Sequence, residues 1–332
     1  MVQDKQLLSP KEKTTSQKLW WVIKLVITVL ILSYIYTTFH HEEKGFSIVL
    51  EELTGLFENK NLPRLFLLLL LVPANWALES LKWQGLAKKA IPITFSEALR
   101  STLTGLAIGV AVPAQLGDTL GRVGSLRSSE RLKAIGAAVV SNGIQFYVSL
   151  LAGGISWYFI KDTLNAPTWI SSTILFITLI LVVAGVAIAY FRKSLLIGDS
   201  NKKWLERFRS YLEVIAYYTL GDLARALILG LLRYLVFLFQ FVLAISLFNT
   251  ALDWVEITAG VALILLAKTL IPALNVFGDL GLREFTALYV FKNYSMLPEK
   301  IVAATLLIWF INILGPLLIG IVLVWRYKWK NS

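Results

Sequence analysis

The chain has 332 residues, 57% hydrophobic and 16% charged, with a mean hydropathy of +0.68. Soluble domains hold about 45–50% apolar and about 25% charged residues, so the composition points to a membrane protein. A formal net charge of +11 would suggest nucleic acid in a soluble protein, but here the basic residues gather in loops, as the positive-inside rule requires. The absence of cysteine excludes disulfides, thiolate catalysis and Cys-ligated zinc.

Residues 1–18 are polar and lead, without a small-residue cleavage site, into an uncleaved first span. Apolar runs of the roughly 20 residues that cross a bilayer then recur at Leu19–Phe39, Leu62–Leu81, Leu132–Ile160, Trp169–Phe191, Ala226–Phe248 and Ile301–Trp325. Two further apolar segments, Ala98–Leu126 and Ile257–Phe291, are interrupted by Pro and Gly-Asp. Either the chain crosses eight times, or it crosses six times and carries two re-entrant hairpins.

The loops favour the second arrangement. Lys and Arg crowd the N-terminal tail, 82–100, 122–133, 192–209 and the C-terminal end, whereas 40–61, 161–168 and 249–256 are poor in them. Basic loops stay cytoplasmic, so Ala98–Leu126 should enter and return on the inside and Ile257–Phe291 on the outside. The expectation is an all-α polytopic protein with six full spans, two re-entrant hairpins and both termini cytoplasmic. It would form one transmembrane domain, 19–328, between cytoplasmic tails 1–18 and 329–332. Its halves, about 62–160 and 226–325, would form an inverted repeat, the layout in which interrupted segments mark a transporter's site. Two amphipathic stretches, "FSIVLEELTGLF" and "KKWLERFRSYLEVI", read as interfacial helices.

The interrupted segments carry parallel motifs. "VPAQLGDTLGRVG" holds Pro113, Gly117, Asp118, Gly121 and Arg122; "IPALNVFGDLGLREF" holds Pro272, Gly278, Asp279, Gly281, Arg283 and Glu284. In each, Asp precedes Arg by four residues, so the two share a helical face. The glycines let a backbone or ligand approach closely, and Arg grips phosphate bidentately. Self-neutralisation of an expensive intramembrane charge would explain one such pair; two copies favour a ligand pathway. Lys268 lies in the second segment, where a basic residue needs an anion or a cavity. Glu79 and Lys82 read as a pair at the membrane–water interface, and Asn142 and Gln145 as buried polar candidates. For Arg233 both the bundle interior and the opposite face stay open. A third Gly-Asp, Gly221-Asp222, reads as the end of a span. His40 and His41 sit in a loop and point apart, so no metal is expected; there is no P-loop, no catalytic nucleophile and no implied cofactor.

The run "LESLKWQGLAKKAIPITFSEALRSTLTGLAIGVAVPAQLGDTLGRVGSL" resembles the first signature of the flippase-like family called lysylphosphatidylglycerol synthase transmembrane region. Lys82-Trp83, Glu97-Ala98, Gly105, Gly109, Pro113, Gly117-Asp118 and Arg122 stand in its places. Pro272, Gly278-Asp279, Gly281, Arg283 and Glu284 match the second signature, and the resemblance runs from about residue 15 to 328. Asp118 stands where the family often has Glu, Gly121 fills a variable place and Asp279 replaces a common Gly, which shifts weight to the arginines and Glu284. The resemblance implies the lipid-translocating part and not the soluble lysine-transferring domain. It implies a multi-pass protein of the bacterial inner membrane that moves a phospholipid or lipid-linked anionic headgroup. The headgroup contacts would be Arg122, Arg283, Glu284, Asp118, Asp279 and Lys268. The expected partner is thus a membrane lipid, with no nucleic acid, and with a homo-oligomer or an envelope-pathway partner open. Two alternatives stand: a membrane-embedded transferase using Asp118 or Glu284 as base, and a non-catalytic subunit of a glycolipid-synthesis complex.

Overall fold

The computed structural model describes residues 26, 29, 51–52, 54–56, 60–111, 116–194, 210–248, 252–270, 282–294 and 296–326. Among the described residues there are helices and turns and no strand. In chain order they form α1 (Leu62–Ala87), α2 (Phe95–Ala111), α3 (Leu116–Gly124), α4 (Ile135–Ile160) and α5 (Thr168–Phe191). There follow α6 (Leu220–Phe248), α7 (Trp254–Leu270), α8 (Leu282–Phe291), α9 (Pro298–Trp309) and α10 (Gly315–Arg326). A π-helical turn, Phe310–Leu314, joins α9 to α10. Pro316 follows it, and its missing N–H accounts for the local change of register.

Among the described residues, five helical stretches are long and apolar enough to cross a membrane: Leu62–Ala87, Arg131–Ile160, Thr168–Phe191, Leu220–Phe248 and Pro298–Trp325. They coincide with five of the predicted spans. The sixth, Leu19–Phe39, lies outside the described residues apart from Val26 and Val29, which are helical and exposed. The protein is an all-α, multi-pass membrane protein. No residue of α5 is buried although its mean hydropathy is 2.8, as expected of a helix whose solvent is lipid.

Two predicted ends move. α1 continues past Leu81 to Ala87, and α6 begins at Leu220 instead of Ala226. Charge does not stop these helices because each charged group there has a partner. A reciprocal cap opens α6: the Thr219 amide donates to Asp222 Oδ2 (2.8 Å) and the Asp222 amide to Thr219 Oγ1 (3.1 Å). Lys89 then reaches Asp222 at 3.0 Å and ties the two helix ends together. The third Gly-Asp is thereby explained as a helix start. α1 and α6 run antiparallel, since Asn75 meets Arg233 while Leu68 meets Gln240, seven residues earlier on one and seven later on the other.

The first interrupted segment is a tight helical hairpin. α2 has 17 residues and α3 only nine, about 26 and 14 Å at 1.5 Å per residue, so the second arm is shorter than a bilayer core of about 30 Å. A Cβ added to Gly121 would stand 2.7 Å from Gly105 Cα, and one on Gly117 2.8 Å from Gly109 Cα. The partner index falls by four as the other rises by four, which is the mark of antiparallel arms. The same cap type opens α2, with Glu97 Oε2 accepting from the Thr94 amide (3.0 Å) and Thr94 Oγ1 from the Glu97 amide (3.3 Å). This gives Glu97 a structural role.

α7 and α8 repeat the pattern with 17 and 10 residues, and a Cβ on Gly260 would meet the Phe291 ring at 2.6 Å. Pro113, Pro272, Gly278, Asp279 and Gly281 lie outside the described residues. Of the two amphipathic stretches, Leu56 is buried in the larger apolar core, and Val214 packs over Gly136 of α4.

Candidate functional site

Glu79, expected at the membrane–water interface, is the centre of a buried ionic network. Because α1 extends to Ala87, Glu79 stands two turns inside the helix, and it is 3% exposed. Its Oε1 accepts from Arg122 Nη1 of α3 at 2.7 Å and from Ser141 Oγ of α4 at 3.4 Å. Its Oε2 faces Lys82 Nζ at 2.9 Å and Arg233 Nε of α6 at 3.1 Å. One carboxylate thus gathers cations from three helices.

Each cation also has a second partner. Arg122 Nε donates to both oxygens of Asp118, at 3.0 and 2.8 Å, so the spacing read from the sequence does place this pair on one face. The Arg122 guanidinium also lies 5.9 Å from the centre of the Trp83 ring, within reach of a cation–π contact. Trp83 is itself fixed by donation from Nε1 to Ser101 Oγ at 2.7 Å. Lys82 Nζ donates to the Ser141 carbonyl at 3.1 Å and reaches Gln145 Oε1 at 3.5 Å. Arg233 Nε donates to Asn75 Oδ1 at 3.3 Å. Asn142 Nδ2 donates to Asp118 Oδ2 at 3.2 Å and, more weakly, to Thr119 Oγ1 at 3.4 Å.

Glycines make the room. A Cβ on Gly105 would lie 2.7 Å from Arg122 Cγ and 2.8 Å from Asp118 Oδ1. Gly230 lets Ile144 of α4 pack closely on α6, since a Cβ there would stand 2.8 Å from Ile144 Cγ2, and the stem of Lys82 passes alongside. Seven residues of the first signature thus serve one purpose. Lys82, Trp83, Gly105, Gly109, Gly117, Asp118 and Arg122 build and shape this network.

Among the described residues, three cations, Lys82, Arg122 and Arg233, face two carboxylates, Glu79 and Asp118, an excess of one positive charge. A buried net charge is costly unless a counter-ion can reach it. Burial is uneven: the side chains of Lys82 and Arg122 are 0% and 4% exposed and that of Arg233 25%. Arg233 is the open side of the cluster. One turn further along α6 is Phe237, whose ring centre is 5.9 Å from Lys268 Nζ of α7.

The second motif is only partly in view. Arg283 Nε and Nη2 both donate to Glu284 Oε1, at 3.2 and 2.7 Å, and both residues are buried. Asp279, its expected partner, lies outside the described residues. The structure brings Arg122 and Asp118 together with Glu79, Lys82 and Arg233, and pairs Arg283 with Glu284. Sequence reasoning missed Asn75, Ser141 and the Trp83 support. A readable signal existed: Asn75, Glu79 and Lys82 recur at helical spacing in an apolar run, as do Ser141, Gln145 and Ser149.

Residues 21–320 match the family described as lysylphosphatidylglycerol synthase TM region. The chain belongs to this family. A search among curated proteins finds no match. Membership ties this lysylphosphatidylglycerol synthase TM-region protein to lipid handling in a membrane. Among the described residues no group of three or more His, Asp or Glu could hold a metal ion.

Proposed function

We propose that the protein translocates an anionic phospholipid, or a lipid-linked anionic headgroup, across the bacterial inner membrane, and that the Glu79-centred network receives the headgroup. The single observation that carries the reading is the excess of cations over carboxylates, among the described residues, in a buried network with one partly exposed cation, Arg233. A phosphate arriving between α1 and α6 would meet Arg233 first and Lys82 and Arg122 behind it. Lys268, beside Phe237, would extend the basic path toward the second hairpin. Arg guanidinium groups suit this task because their planar donors match phosphate oxygens. On this reading the primary contacts are Arg122, Lys82 and Arg233, which gather around Glu79, while Arg283 and Glu284 contact each other.

The helix pairs α2–α3 and α7–α8 are read as hairpins that enter from opposite faces, with both chain termini cytoplasmic. Support comes from the shortness of α3 and α8, from the loop charges and from the antiparallel run of α1 and α6, the first helices of the two halves. The parent chain has no cysteine, so single substitutions report cleanly. Ser128→Cys and Ser295→Cys should react with a membrane-impermeant maleimide from opposite sides of the membrane; labelling of both from one side contradicts the inverted arrangement.

Function is tested on the full chain in vesicles, by quenching of fluorescent phosphatidylglycerol and phosphatidylcholine from outside. Phosphatidylglycerol should become accessible faster than in protein-free vesicles and faster than phosphatidylcholine. Arg233→Gln should slow it by about tenfold, the effect of roughly 1.4 kcal/mol on a barrier. Rates equal to protein-free vesicles, or equal for wild type and Arg233→Gln, would overturn the assignment.

A further inference from the structure

We infer that Glu79 is the resident occupant of the anion seat: its carboxylate holds the place that the headgroup phosphate takes, and lipid binds by displacing it. The inference rests on the reading of this network as the headgroup site and adds how the site is kept when empty and which headgroup it selects. Three cations and the Ser141 hydroxyl converge on the two oxygens of Glu79, at 2.7, 2.9, 3.1 and 3.4 Å. That donor set is what a phosphodiester's two free oxygens would require.

The seat does not depend on Glu79 to stay assembled. Arg122 remains held by both oxygens of Asp118, Lys82 by the Ser141 carbonyl, and Arg233 by Asn75. When Glu79 swings aside, the cations stay in position and turn to the incoming anion. Without such an occupant, Lys82, Arg122 and Arg233 would have Asp118 as their one carboxylate among the described residues between lipid deliveries, and burying that imbalance is costly.

Charge selects the ligand. A singly charged phosphodiester replaces the Glu79 carboxylate charge for charge, in a seat where the described residues already hold three cations against two carboxylates. A zwitterionic headgroup brings a cation of its own into a site where positive charge already predominates. The ligand class is therefore a monoanionic phosphodiester lipid without a headgroup amine.

The test measures binding of dihexanoylphosphatidylglycerol to the purified full chain in uncharged detergent. Deacylated glycerophosphoglycerol serves as the free-headgroup control. Wild type should bind the lipid, and the deacylated compound far more weakly; equal binding would overturn a lipid source for the anion. Glu79→Gln removes the competitor, so affinity for the lipid should rise by about tenfold, as a released charge pair allows. A Glu79 needed to hold the seat together would lower it by letting the cations move apart. Where Glu79→Gln alone fails to fold, Lys82→Met is compared with Lys82→Met/Glu79→Gln, which removes the pair together, and the double variant should bind more tightly than the single. Unchanged or weaker binding on loss of Glu79, with Arg233→Gln still weakening it, overturns the occupant role and leaves the headgroup site standing. No binding by wild type overturns both.

Discussion

Arg122→Ala should both destabilise the protein and stop lipid transfer. Arg122 is 3% exposed and ties Asp118 of its own helix to Glu79 of α1. Its loss leaves Asp118 without its cation and removes the link between the hairpin and α1. Deleting one partner of a buried ion pair costs about 3–5 kcal/mol, chiefly because the other charge stays behind unpaired. Thermal unfolding in detergent should show a clear drop in midpoint. Arg122→Lys separates fold from function. A lysine keeps the charge, but one ammonium cannot reproduce the Nε contacts to Asp118 and the Nη1 contact to Glu79 together. It should recover part of the stability and little of the transport. Full transport by a well-folded Arg122→Lys protein would remove Arg122 from the headgroup site.

The second large effect should come from the hairpin glycines. A Cβ on Gly117 would press into the Ile108 carbonyl and stand 2.8 Å from Gly109 Cα; one on Gly121 would lie 2.7 Å from Gly105 Cα and 2.9 Å from the Thr104 carbonyl. These neighbours are backbone, so no side chain can turn away and the arms must part. Overpacking of this kind costs about 1–3 kcal/mol. The functional cost is larger, because Asp118 and Arg122 each follow a glycine directly and move with it. Gly117→Ala and Gly121→Ala should lose transport while keeping helix content by circular dichroism. Gly85 and Gly143 have nothing within 4 Å of an added Cβ, so Gly85→Ala and Gly143→Ala should behave as wild type. Equal behaviour of the two groups would mean that the close packing of α2 on α3 does not matter for transport.

Much of this was legible in the sequence, for identifiable reasons. Apolar runs and Pro/Gly interruptions mark spans and hairpins directly, and the spacing of Asp118 and Arg122 placed them on one face. What could not be read was the partner across the bundle. Glu79 lies 43 residues from Arg122, and α1 and α4 are apolar nearly all round, so hydropathy does not say which face turns inward. The end of α1 was misplaced because Lys82 looked like a boundary; with Glu79, Ser141 and Gln145 around it, it is an interior residue. Arg233 was undecidable for the same reason until Asn75 and Glu79 were seen opposite it. The repeated Asp points to a second Asp–Arg pair, of which Asp279 lies outside the described residues; the contact in view is that of Arg283 with Glu284, its neighbour in sequence.

The most direct measurement of the central claim is an experimental structure of the full chain in nanodiscs of phosphatidylglycerol. The account predicts a lipid phosphate between α1 and α6 in contact with Arg233 and Arg122, with Glu79 turned away from them. Phosphatidylglycerol visible only around the outer apolar faces, with Glu79 still holding Lys82, Arg122 and Arg233, would contradict it.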